Sequence, residues 1–598
     1  MAPEGRDLRE RRGGLPAALL LALALGAMLA DPAYAAPPVS ISPLAGTPDA
    51  SPRAQISFLG VPASEINDVS VVGSHSGRHS GRLESYVSAP GASFLPARPF
   101  AQGESVTASA LIGPRGHAAR MSTTFTVSRP SGFKPAPGKG TYLTRAGLVQ
   151  SFASAPELHP PAVFVSTDSP GATPGDVFFT PTAGYGQAGA MIVGGQGQLV
   201  WFHPAPAGDD TADFQVESYK GQPVLVWWQG KIAGELGIGL GEDEVYNTSY
   251  QPLATIRAGN GYTADLHEAQ LTPQGSAFVT AYSLVDANLS SLGGSSNGTL
   301  QDAILQEIDV PTGLVMFEWH AYGHVALEDS YTRPSSSGAP WDFFHLNSVS
   351  LDPSGDGDFI LSSRNTWAAY EIDHLSGAVL WRLGGKRPSF KMGAGTGFAW
   401  QHDVRWQPNG TLTIFDDGAV PKAHSQSRAI REQIDWKNHS VALVGRYVHT
   451  PALLTGSQGN FQVLPDGNSF VGWGELPYLT EYNAAGQVVF DAHFPSPGQS
   501  YRAFRFPWSA TPATSPAIAV KAGSGSEATV YASWNGATAV SGWRVLAGGT
   551  PATLTEVATA PASGFETAIQ VSSAAADFAV QALGAEGQVL GGSSAVPR

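Results

Sequence analysis

Residues 345–383 fall into four short apolar runs, 345–351, 359–365, 368–373 and 378–383, parted by turn residues at 352–357 and 375–377. Runs of that length between Gly, Pro, Asp and Ser predict strands. Four antiparallel strands in one stretch predict one blade of a β-propeller. The pattern returns at 459–494, with turns at 465–467 and 484–486. It returns again at 266–320, with turns at 273–275 and 311–313 around an inserted loop. The last strand of the unit recurs at 198–201, 314–317, 379–381 and 488–490. Turn prolines Pro353, Pro408 and Pro465 stand 55 and 57 residues apart. Self-similarity at such a period marks a repeat architecture, so 140–510 is expected to form a six-bladed propeller.

The flanks carry a different pattern. Short alternating segments between 55 and 127 predict a β-sandwich over 36–130. Strands rich in Ala, Gly, Ser and Thr follow from 514, so 514–598 is expected to be a second sandwich of immunoglobulin or fibronectin type. Segments 37–52 and 130–140, dense in Pro, Ser, Ala and Gly, predict linkers. The expected fold is therefore all-β: a six-bladed β-propeller flanked by an N-terminal β-sandwich and a C-terminal Ig/fibronectin-like β-sandwich.

Composition agrees and narrows the function. The 598 residues include 70 Gly and 45 Pro, with only 14% charged, as suits a turn-dense all-β chain. A net charge of −15 argues against a nucleic-acid or anionic-membrane partner. An anionic substrate would need a local positive pocket. With no cysteine, disulfides, a thiolate nucleophile and a lipidated-cysteine anchor are excluded. Arg6, Arg9, Arg11 and Arg12 precede the apolar stretch 15–30 and the small-x-small triplet Ala33-Tyr34-Ala35. That order predicts a signal peptide over 1–35, with too short an apolar run for a membrane span. Secretion to the exterior, cell wall or periplasm is expected. The residues after Arg11-Arg12 suit the Sec route better than the Tat route.

The candidate chemistry lies in three histidines at matching points of the repeat, His267, His345 and His402, each opening the first strand of a unit. First strands of propeller blades line the central channel, so these imidazoles are expected near one mouth. Pairing residues equidistant from each turn sets Arg364 across from His345, Asp417 across from His402 and Tyr282 across from His267. Asn347 shares a face with His345. Imidazole is a competent nucleophile near neutral pH, and a guanidinium matches the oxygens of a tetrahedral oxyanion. Aromatic residues crowd the same text: Trp341, Phe343, Phe344, Trp367 and Trp400. They are expected to wall an aryl substrate.

The strings Phe344-His345-Leu346-Asn347-Ser348, Ser362-Ser363-Arg364-Asn365 and Trp381-Arg382-Leu383-Gly384-Gly385 come in fixed order. Trp400-Gln401-His402-Asp403, Phe415-Asp416-Asp417-Gly418, Trp473-Gly474 and Thr480-Glu481-Tyr482 follow. Over about 174–494 this text resembles the arylsulfotransferase (aryl-sulfate sulfotransferase) family, in a compact secreted branch. The resemblance implies a six-bladed propeller that moves a sulfuryl group from an aryl sulfate donor to a phenolic acceptor, without the nucleotide sulfate donor PAPS. It implies that His402 matches the histidine that becomes sulfated, and that His345, Arg364 and His267 match the family's other site residues. It implies a ping-pong cycle with no metal or diffusible cofactor. From strand faces, hairpin pairing and aromatic density, substrate contacts are expected from Asn347, Trp367, Trp400, Phe344 and Tyr282. Two other functions fit the same residues. One is a non-catalytic secreted surface- or wall-binding propeller. The other is a metal-dependent hydrolase or lyase using the imidazoles, which the charge of Arg364 opposes.

Overall fold

The computed structural model describes residues 39–134, 142–233, 236–355 and 357–598. The expected signal segment 1–35 and residues 135–140 of the expected second linker lie outside the described residues. The chain is all-β, and among the described residues the only helical elements are single 3-10 turns. No helix among them is long and apolar enough to cross a membrane.

Six sheets fill the middle of the chain. Sheet I runs Leu199–Pro204, Gly189–Val193, Asp176–Phe179 and then Ala503–Phe506, a strand from the far end of the region. Sheet II runs Asp210–Tyr219, Gln222–Ile232, Gly239–Tyr246 and Pro252–Ile256. Sheet III runs Ala264–Leu271, Ser276–Ala287, Gly298–Asp309 and Leu314–His320. A single pair, Gly241 with Ala264, joins sheets II and III. Sheet IV runs Leu346–Leu351, Phe359–Ser363, Ala368–Ile372 and Val379–Gly384. Sheet V runs His402–Trp406, Thr411–Asp416, Arg428–Asp435 and Ser440–Tyr447, with Lys391–Met392 added outside. Sheet VI runs Asn460–Val463, Ser469–Gly472, Tyr478–Tyr482 and Val488–His493, with Phe164–Asp168 added outside.

The leading strands lie side by side. Asp210–Tyr219 touches Ala264–Leu271, which touches Leu346–Leu351, then His402–Trp406 and Asn460–Val463. Ala503–Phe506 touches both Asn460–Val463 and Asp210–Tyr219, so the series returns on itself. Phe359–Ser363 and Ala368–Ile372 are buried at every position, because neighbouring sheets cover both faces. This is why their sequence reads as continuous apolar runs rather than alternation.

Before this region, two four-stranded sheets share one apolar cluster built on Ile56, Phe58, Val71, Val106 and Phe125. After it, a three-stranded and a five-stranded sheet share another, built on Val530, Trp543, Val545, Phe578 and Val580. Of the stretch 37–52, expected as a linker, the described residues 39–52 are instead packed. Ser40–Ser42 pairs with Ile56–Leu59, and Asp49 and Ala50 are buried. Proline at an edge strand is compatible with pairing on its other side, so composition misled there.

Candidate functional site

The leading strands are irregular where they reach the mouth of the ring. Register shifts fall between Ala212 and Gln215, Ala264 and Ala269, Leu346 and Ser348, and His402 and Arg405. Asp213, His345, Asp403 and Gln458 adopt left-handed φ of 53°, 55°, 54° and 70°. A bulge re-aims the side chains beside it, and non-glycine residues at positive φ cluster where a site overrides local preference.

The result is one cavity of 490 Å³ lined by His267, His345, His402 and Arg364, together with Asp342, Asn365, Ser457, Gln458, Asp210 and Tyr501. The rings of His267 and His345 meet edge-on at 4.8 Å. The Tyr501 ring stands 5.3 Å from His267 and 6.3 Å from His402.

Each imidazole is held by an aspartate at Nδ1. Asp265 Oδ2 lies 2.5 Å from His267, Asp342 Oδ2 lies 2.5 Å from His345, and Asp417 Oδ2 lies 2.8 Å from His402. A carboxylate at Nδ1 fixes the tautomer and leaves the Nε2 lone pair free. At His402 a second contact settles it. The backbone N–H of Gln458 donates to Nε2 at 3.3 Å, so Nε2 is the acceptor and the ring proton sits on Nδ1, facing Asp417. Burial holds His402 well below the ordinary histidine range, and the charge of Arg364 lowers it further. Burial also lowers His345, against the raising effect of Asp342. Burial pushes the Asp417 carboxyl up, and the nearby charge of Arg364 opposes that by favouring the carboxylate. Both imidazoles are therefore free bases at neutral pH.

Arg364 is aimed from behind. It donates to Gly456 O at 2.9 Å and to Asn365 Oδ1 at 3.2 Å, and it lies 4.9 Å over the ring of Trp400. Trp400 meets Trp367 at 5.1 Å, and Trp367 stacks on Tyr331 at 3.8 Å.

Beside the cavity, a buried ion network joins the leading strands. Arg502 reaches Asp213 at 2.8 Å, Glu268 at 3.2 Å and the carbonyl of Asn347 at 2.8 Å. Arg405 reaches Glu268 at 2.6 Å and Asp403 at 2.7 Å. Asp403 also accepts the N–H of Phe461 at 2.9 Å. These residues come from the leading strands of sheets II to VI and from Arg502, just ahead of the sheet I strand Ala503–Phe506, so the network fastens the ring and fixes the depth of the histidines.

The structure brings His267, His345, His402 and Arg364 to one cavity, but not the residues expected to contact an aryl substrate. Asn347 is buried and donates to the carbonyl of Gln401 at 2.7 Å. Phe344, with Trp341 and Phe343, belongs to the apolar core. Trp400 and Trp367 form the support under Arg364, and neither lines the cavity. Tyr282 donates to the carbonyl of Leu346 at 2.8 Å, with its ring 6.2 Å and 6.3 Å from His267 and His345. Expected pairings shift with the bulges. Arg364 does face His345, its N–H reaching the His345 carbonyl at 3.0 Å. His402 pairs with Phe415, two residues short of Asp417 on the same face, and the bulge at 265–268 moves His267 off Tyr282. Sequence reasoning missed Asp265, Asp342, Gln458, Tyr501 and Arg502. The short spacings to His267 and His345 could have exposed the two aspartates. Tyr501 and Arg502 lie outside the repeated text and carried no signal.

Residues 215–495 match the family model for arylsulfotransferase (ASST). No curated protein matches the chain. Among solved structures, a protein of unknown function from Bacteroides caccae is similar at a TM-score of 0.34 and 13% identity, over 56% of this chain and 99% of that one. Virginiamycin B lyase from Staphylococcus aureus is similar at 0.27 and 10%, over 62% and 94%. The Dos1 propeller is similar at 0.26 and 13%, over 67% and 92%.

Proposed function

Residues 215–495 belong to the arylsulfotransferase family, and we propose that this chain moves a sulfuryl group from an aryl sulfate to a phenol through a sulfohistidine at His402. In this reading the six sheets over 140–510 are the blades of a propeller. Residues 36–130 and 514–598 are flanking β-sandwich modules, and the enzyme is secreted.

The observation that carries the reading is the Nε2 lone pair of His402, fixed by Asp417 and Gln458 in a cavity shared with Arg364. Nε2 gives up the 3.3 Å hydrogen bond from the Gln458 N–H and attacks sulfur, the N–S bond forms, and the S–O bond to the aryl group breaks with its electron pair leaving as phenolate. The ring keeps its Nδ1 proton and becomes cationic, and Asp417 stabilises that charge. Arg364, with His345 and His267, faces the sulfuryl oxygens. The departing phenolate takes its proton from solvent, because His345 enters the cycle as a free base, and the acceptor takes its place. The acceptor gives its proton to the free Nε2 of His345, attacks sulfur, and the N–S bond breaks. No nucleotide donor enters the cycle.

Intact mass after mixing with 4-nitrophenyl sulfate tests this. An adduct of one SO3 unit on His402, discharged by added phenol and absent from His402→Ala, is the expected result. A protein that neither gains the adduct nor transfers to any phenol is instead a binding propeller.

A further inference from the structure

We propose that Asp49, Asp302 and His320 bind one divalent transition-metal ion of the Zn²⁺ or Mn²⁺ kind, which fastens the N-terminal segment to sheet III. None of the three lines the catalytic cavity, so the proposal stands apart from the sulfuryl-transfer reading.

The donor atoms already converge. His320 Nδ1 lies 2.9 Å from Asp302 Oδ2 and 3.1 Å from Asp49 Oδ1. All three donors lie within 4.8 Å of one another, and all three residues are buried. An ion about 2.1 Å from each ligand sets neighbouring donors roughly 3.0–3.4 Å apart, close to the 2.9 Å and 3.1 Å found on either side of Nδ1.

The surroundings are those of a metal site. The other ring nitrogen, Nε2, faces Glu318 Oε1 at 3.2 Å. Glu318 is itself fixed through Oε2, by Asn260 at 2.7 Å and Gln306 at 2.6 Å. A carboxylate behind a ligating histidine is the usual outer partner that orients the ring. Asp302 spends Oδ1 on the N–H of Tyr322 at 2.7 Å and turns Oδ2 inward. Asp49 is 2% exposed; its Oδ1 faces His320 Nδ1, and its Oδ2 accepts no hydrogen bond.

Charge points the same way. Asp49, Asp302 and Glu318 bring three buried carboxylates, and the one cationic partner among their ion pairs is His320. Imidazole in the donor set favours Zn²⁺ or Mn²⁺ over Ca²⁺ or Mg²⁺.

The test uses full-length protein purified without a polyhistidine tag or chelator. Elemental analysis should find about one transition-metal ion per chain, as a closed structural site requires. Stripping with a chelator should lower Tm, and Zn²⁺ or Mn²⁺ should restore it. Co²⁺ added to the stripped protein should give ligand-field absorption. Glu318→Gln, which keeps the ligands, should weaken metal affinity about 10- to 100-fold, and Asp49→Asn should abolish it. Wild-type protein that shows no Co²⁺ bands, and the same Tm with and without added metal, would overturn the proposal. The cluster would then be an imidazolium held by carboxylates.

Discussion

Replacing Asp417 by asparagine isolates the electrostatic part of the chemistry from its geometry. Asparagine can still present an oxygen to the Nδ1–H of His402, now 2.8 Å from the carboxylate, so the Nε2 lone pair stays aimed. What is lost, in the proposed cycle, is the anion opposite a ring that becomes cationic when sulfated. A hydrogen bond to a charged group is worth about 1.5–3 kcal/mol. At about 1.36 kcal/mol per tenfold in rate, formation of the sulfohistidine should slow about 10- to 150-fold. Its discharge to phenol should not slow, because that step removes the charge. Stability should move the other way. Asp417 is fully buried and burial pushes its carboxyl up, so the neutral amide relieves a desolvation cost and Tm should hold or rise. Single-turnover release of 4-nitrophenolate from 4-nitrophenyl sulfate, with and without phenol, separates the two steps. A parent-like first step, or a loss matched by a fall in Tm, would refute the assigned role.

Other outcomes follow from the same geometry. The acid limb of kcat/KM should lie below the ordinary histidine value of about 6.5, because burial and Arg364 depress His402; a limb at or above that value would contradict a free-base nucleophile. Stability follows the same sign. A folded pKa below the unfolded one means the unfolded chain binds more protons, so this contribution is complete above about pH 6.5 and is lost as pH falls through the window beneath it. Arg364→Lys should cut kcat/KM at least about tenfold, since an ammonium cannot hold Gly456 and Asn365 and also face the substrate in one plane; steady-state kinetics at fixed donor checks it. Arg502→Met leaves Asp213 and Glu268 without their shared cation and should cost about 3–5 kcal/mol of stability, read by chemical denaturation, with an unchanged midpoint refuting the fastening role of the network.

The strands of sheet IV were legible because their apolar runs end on unambiguous turn residues. The three histidines and Arg364 were legible because they recur at fixed points of that unit. Their partners were not. Asp417 appeared only through the turn arithmetic, which ran two residues off because left-handed Asp403 inserts a bulge. The aromatic wall was misplaced for a physical reason. Trp367 and Trp400, both at positive φ, turn beneath the guanidinium they support rather than into the cavity. Composition cannot tell a ring that contacts substrate from one that supports a cation. Tyr501 and Arg502 needed the third dimension, since nothing near them in sequence repeats.

Strand Ala503–Phe506 completes sheet I some three hundred residues after its partner Asp176–Phe179, and Tyr501 and Arg502 arrive at the cavity on the two residues just ahead of it. The site is therefore completed only after all six sheets' other strands have been laid down. A nascent chain, or one cut near residue 500, can hold every histidine and still lack the tyrosine beside them and the guanidinium that ties their strands together. On the sulfuryl-transfer reading, activity therefore waits on this clasp, and a ring that springs open there should fall silent before it unfolds.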